Sequence, residues 1–74
     1  MTKIIETLRD NALTVFAGQT VTGSDFEAHT SLLYQEARGR KQTFGSYMDM
    51  LGALEAAGVQ IDYSGAETVY TFPA

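Results

Sequence analysis

Val59-Gln60-Ile61-Asp62-Tyr63-Ser64-Gly65-Ala66-Glu67-Thr68-Val69-Tyr70-Thr71-Phe72 reads as one hairpin, and this stretch decides the fold. Val59, Ile61 and Tyr63 alternate with Gln60, Asp62 and Ser64, the period-2 signature of a strand with one buried face. Thr68, Tyr70 and Phe72 alternate with Val69 and Thr71 in the second arm. A two-residue turn at Gly65-Ala66 fits the Gly-X pattern of a type II′ turn. It sets Val59 opposite Phe72, Ile61 opposite Tyr70 and Tyr63 opposite Thr68. Every large residue except Val69 then shares one face, while Gln60, Asp62 and Thr71 take the other. Slipping the register by one residue would scatter that face, so the pairing is well specified. Ile61 and Phe72 are expected in the core. Pro73 follows the last strand and can stop further pairing.

Working back from the hairpin, the rest of the chain reads as helices. Phe44, Tyr47, Met48, Leu51 and Leu54 form the apolar stripe of a third helix that starts near Thr43 or Ser46 and stops at Gly58. Ser46 with Asp49 gives it a weak capping-box pattern. Ser24-Asp25-Phe26-Glu27 is a stronger S-x-x-E capping box for a second helix, and Asp25 suits the positive end of the helix dipole. Phe26, His29, Leu33 and Ala37 make the inner stripe of that helix, with Leu32 beside it, and Gly39 ends it. A first helix spans about Thr2 to Ala17, capped by Thr2 and stopped by Gly18. Its inner side is Ile4, Ile5, Leu8, Ala12, Val15 and Phe16, with Lys3, Thr7, Asp10 and Thr14 opposite. Gln19 to Thr22 is short and β-prone, a candidate edge strand for the hairpin.

The element order is helix, short strand, helix, helix, strand, strand. This order and the hairpin register resemble the winged helix-turn-helix superfamily over nearly the whole chain. The expected fold is α+β, a single winged-helix-like domain over residues 1–74, with three helices, a short strand after helix one and a C-terminal β-hairpin. The resemblance implies that helix three can enter the major groove and that the hairpin, or wing, can touch the DNA backbone or minor groove. Winged helices also serve as protein-binding modules. In size and style the chain resembles the small regulators of phages and plasmids.

Composition narrows the function. The chain has 74 residues, 45% of them hydrophobic, with four Phe and four Tyr. A chain this short buries only about 60–65% of its unfolded surface, so an interface with a partner would add stability. It has no Cys, which excludes disulfides and thiolate metal sites. No apolar run approaches the roughly 20 residues that span a membrane, and no signal-peptide core is present. The leading Met and the complete last strand suggest a whole small cytoplasmic protein. Nine carboxylates face five cations, for a net charge of −4. The basic cluster is Arg38, Arg40 and Lys41. It reads most plainly as a solvated inter-helix turn, and alternatively as a phosphate clamp, since counterion-release affinity scales with such contacts.

Enzymatic chemistry finds no support. His29, the only histidine, lies on an inner stripe with no nucleophile motif nearby, so a hydrogen-bonded, partly buried role is expected. Asp62 and Glu67 read as solvent-facing charges that protect a sheet edge. Tyr34, Tyr47, Tyr63 and Tyr70 read as core or boundary residues with their hydroxyls at the surface. No catalytic, cofactor-binding or metal-ligating set is expected, and no cofactor or small-molecule substrate.

The expected outward face of helix three is Gly45, Ser46, Asp49, Gly52, Ala53 and Ala56. Direct readout of bases wants Arg, Lys, Asn or Gln there, and none is present. Small residues instead let another chain approach closely. The expected function is therefore a small acidic non-enzymatic module acting through protein–protein contacts, as inhibitor, adaptor or dimeric regulator, with Ser46, Asp49, Gly52, Ala53 and Ala56 as the interface. The partner is another protein or a second copy. The alternative is a sequence-specific DNA-binding transcription regulator using Arg38, Arg40, Lys41 and Ser46.

Overall fold

The computed structural model describes residues 3–74. The elements run α1 (Lys3–Val15), β1 (Thr20–Thr22), α2 (Gly23–Arg38), α3 (Phe44–Ala56), β2 (Gln60–Asp62) and β3 (Val69–Thr71). This is the winged-helix arrangement that the element order predicts: three helices, a strand after the first and a C-terminal antiparallel hairpin. The three-stranded sheet has the order β1-β3-β2, so the last strand is central. Ile61 pairs with Tyr70 in the expected register, and Val21 pairs with Tyr70 from the other side. No helix among the described residues is long and apolar enough to cross a membrane.

The core forms where the apolar faces of these elements meet. Ile5, Leu8 and Ala12 of α1, Phe26 of α2, Met50, Leu51 and Leu54 of α3, and Val59, Tyr70 and Phe72 of the hairpin are all buried. The Phe26 ring stacks on Tyr70, centroids 4.5 Å apart and planes 19° apart. Phe16 and Phe72 close around it, with centroids 6.0 and 5.9 Å from that of Phe26. Such pairs add to their area burial when offset-stacked or tilted. Lys3, Thr7, Asp10 and Thr14 stay exposed on the far side of α1, as expected.

Several local expectations need correction. The first helix ends at Val15, not Ala17, and Val15 is exposed; the proposed cap Thr2 lies outside the described residues. Thr22, not Ser24, caps α2, its side chain accepting from the Asp25 N–H at 3.4 Å. The inner stripe of α2 is Phe26, Thr30 and Tyr34, with His29 and Leu33 half-buried, whereas Leu32 and Ala37 are exposed. Thr30 can enter the core because its hydroxyl donates to the Phe26 carbonyl at 2.9 Å. Ile61 is only half-buried, since β2 lies at the sheet edge. Tyr63 turns outward, and the tight turn at Gly65-Ala66 does not form. The ladder stops at Asp62–Val69, and Gly65 does not take the positive φ that a type II′ turn needs. Asp62 instead accepts from the Ser64 N–H (2.8 Å) and hydroxyl (2.6 Å), which bends the chain into a longer loop.

That loop is tied back to α2. The Gly23 N–H donates to the Thr68 carbonyl at 2.6 Å. A Cβ at residue 23 would lie 3.1 Å from that oxygen, so glycine allows the close approach. The Ser24 N–H donates to Glu67 Oε1 at 3.1 Å, and the Ser24 hydroxyl donates to the same oxygen. Glu67 thus satisfies first-turn donors of α2, the place where a carboxylate is favoured. It is not the free edge charge that its sequence position suggests.

These hydrogen bonds from Ser24 hold the Glu67 carboxyl below its ordinary range. A depressed folded value means the contribution is full above the ordinary carboxylate range and is lost as pH falls through the folded value. Amide protection at Gly23 and Ser24, measured by hydrogen exchange, should therefore fall on acidification through and below that range. Glu67→Gln should lack this acid step and show reduced protection already at neutral pH. Identical acid dependence in the two proteins would contradict the tie.

Candidate functional site

The outer side of α3 and the groove beside it carry the features of the molecule that its own core does not use. Thr43 caps α3, its Oγ1 accepting from the Ser46 N–H at 3.2 Å. From that start the helix buries Met50, Leu51, Ala53 and Leu54, with Tyr47 half-buried. Phe44 and Met48, expected inside, are 80% and 45% exposed. The helix is therefore turned by roughly 70° from the expected orientation, at about 100° per residue.

This rotation sorts the predicted interface residues. Asp49, Gly52 and Ala56 are exposed, together with Gly45. Ala53 is 7% exposed and belongs to the core, which corrects its expected outward placement. Ser46 is half-buried and its hydroxyl accepts from Gln42 Nε2 at 3.3 Å. Phe44 and Met48 are misplaced in the opposite sense, expected inside but exposed. At i and i+4 spacing they form one apolar ridge leading to Gly52. A Cβ at Gly52 would meet nothing within 4 Å, so close packing inside the domain does not explain this glycine.

Arg38 ends α2, and Arg40 and Lys41 follow in the turn into α3; all three are exposed. Beyond them the charge changes character. From Gln42 to Ala74 the chain carries Asp49, Glu55, Asp62 and Glu67 and no Lys, Arg or His. Both elements that follow the basic turn, α3 and the hairpin, are thus wholly without cations.

Packing on α1 holds α2 and α3, and a groove runs between these two helices and on to the hairpin loop. Its three contiguous hollows, of about 350, 410 and 320 Å³, all have Glu27 on their wall. Tyr63 stands at the hairpin end, Tyr47 and Phe44 line the middle, and Lys41 lies at the far end. The Tyr47 and Tyr70 hydroxyls share a 3.2 Å hydrogen bond on the floor of the hairpin end. Burial, then that hydrogen bond, and to a lesser degree the nearby Glu27 charge, push the Tyr47 phenol well above the ordinary tyrosine range. Burial raises Tyr70 too. Both phenols are protonated at neutral pH.

His29 is half-buried, and its Nε2 lies 2.8 Å from Asn11 Oδ1. With the amide oxygen accepting, Nε2 carries the proton. The ring also meets Phe16 edge-on at 5.1 Å. Among the described residues no three His, Asp or Glu side chains converge as a metal site would require. No protein-family model, curated protein or solved structure matches the chain.

The two neighbours on α3 should respond oppositely to substitution. Gly52→Ala fills open space on an exposed helix and should raise stability by about 0.5–1 kcal/mol. Ala53→Arg puts a long charged chain into the core and should abolish the cooperative urea transition followed by circular dichroism. Destabilisation by Gly52→Ala, or tolerance of Ala53→Arg, would mean that α3 is rotated differently.

Proposed function

We propose that this chain is a small non-enzymatic regulatory module of the winged helix-turn-helix type that works by binding protein. The contact surface is the outer face of α3: Phe44, Met48, Asp49, Gly52 and Ala56. The partner is another protein or a second copy of the chain. The observation that carries this reading is the absence of any cation from Gln42 to Ala74, on a helix that exposes Phe44 and Met48.

A helix that reads bases needs bidentate donors, and phosphate attraction needs cations nearby. The outer face of α3 offers neither, and Asp49 repels phosphate. The same face suits a protein. Burying a side chain such as Phe or Met is worth about 1.5–3 kcal/mol relative to leaving it in water. Gly45, Gly52 and Ala56 keep the surface low beside that ridge, so a partner backbone can come close.

A second reading draws on one specific observation. Arg38, Arg40 and Lys41 are exposed at the entry to α3, where a DNA-binding regulator would use a phosphate clamp with Ser46 beside it. The engagement of the Ser46 hydroxyl by Gln42 weighs against its share of that role.

Met48→Glu and Gly52→Arg test the protein-contact reading. Both positions are exposed, so circular dichroism should show an intact fold. Light scattering should show loss of any self-association, and capture of the host partner by the immobilised chain should drop at least about tenfold, a loss of about 1.4 kcal/mol. Unchanged assembly and unchanged capture would remove this face as the interface.

A further inference from the structure

The groove between α2, α3 and the hairpin loop has a chemistry of its own. Two acceptors of its lining residues stand without a partner among the described residues. One is the Glu27 carboxylate, which makes no ion pair and accepts no side-chain hydrogen bond. The other, Gln42 Oε1, belongs to a lining residue but is itself buried beneath the surface, out of a ligand's reach. The cation on the wall, Lys41, lies at the far end and does not reach Glu27 within ion-pair distance. Glu27 is central, since all three hollows touch it. At the hairpin end Tyr63 lines the groove and is 59% exposed. Glu67 lies beside it but is already engaged by Ser24.

An unpaired carboxylate and an exposed aromatic ring lining one hollow select a particular ligand group. A guanidinium offers only donors, pairs with carboxylates through two parallel bonds and stacks on aromatic faces. An ammonium can make the ion pair but lacks the flat stacking surface. The long-range field agrees, because α3 and the hairpin contribute four carboxylates and no cation. That field favours the approach of a basic segment and disfavours a polyanion.

We propose that this groove seats an arginine side chain from a basic segment of a partner protein, its guanidinium paired with the Glu27 carboxylate and stacked on the Tyr63 ring. The inference rests on the protein-contact reading and gives it a partner chemistry. The arginine anchors the partner in the groove, and the Phe44–Met48 ridge takes the apolar residues that flank it.

The test is a nuclear magnetic resonance titration of the full chain with the peptide acetyl-Ala-Arg-Ala-Arg-Ala-amide. Its controls are the same peptide with citrulline or with lysine in place of arginine. Saturable shifts centred on the amides of Ser24, Glu27, Tyr47 and Tyr63 are expected. Citrulline should abolish them and lysine should weaken them. Glu27→Gln should weaken binding about tenfold, whereas Glu36→Gln, on an exposed part of α2, should leave it unchanged. Shifts that fail to saturate, or that spread equally to Glu6, Asp10 and Glu36, would reduce the effect to diffuse attraction and overturn the proposal. Duplex DNA shifting the same groove amides would overturn it too. If the peptide fails while Met48→Glu still loses the partner, the arginine site falls and the protein-contact reading stands. If both fail, both fall.

Discussion

Phe26 is the side chain on which the rest of this fold depends. It is wholly buried, stacks on Tyr70 of the central strand and meets Phe16 and Phe72 at its edges. Those contacts join the end of α1, the first turn of α2 and the middle of the sheet in one aromatic cluster. A domain this small has little other area with which to fix the sheet against the helices. The same cluster positions the candidate surface. By holding Tyr70 flat against Phe26, it sets the Tyr70 hydroxyl where it meets Tyr47 of α3, and the groove beside α3 is built on that pair.

The hairpin loop adds a polar constraint. Glu67 and Thr68 bond to the first residues of α2, so the loop is drawn onto the domain that supports it. A wing that reaches along DNA is more useful when its tip is free and cationic. This one is engaged and acidic, and it forms a wall of a groove instead. The tied loop and Tyr63 line the same end of the groove.

Hairpin register was legible because strict alternation leaves one pairing that gathers the large residues on one face. Helix existence was legible from caps and glycine stops, and Gly18, Gly39 and Gly58 do take positive φ. Helix rotation was not. The sequence of α3 is apolar almost all round, so Phe44 and Met48 compete with Met50 and Ala53 for the inside, and only packing against α1 decides. On α2 the polar label of Thr30 hid its burial, and Tyr34, read as a core or boundary residue, was not assigned to the inner stripe. The cap of α2 was misplaced because Thr22 and Ser24 both satisfy the local rule, and a residue 43 positions away engages Ser24. Gly52 was legible as a candidate site residue because glycine is costly inside a helix. The groove was not, because Glu27, Tyr47 and Tyr63 come together only through tertiary structure.

The central claim is that the α3 and hairpin half of the molecule presents a surface for protein and not for nucleic acid. A titration of the full chain into fluorescent mixed-sequence duplex DNA at about 50 mM salt, repeated as salt is raised, tests it most directly. The account predicts binding that is absent or too weak to saturate, and no loss of signal on neutralising Arg38, Arg40 and Lys41 together. Tight binding that falls steeply with salt and disappears in the neutralised variant would contradict it.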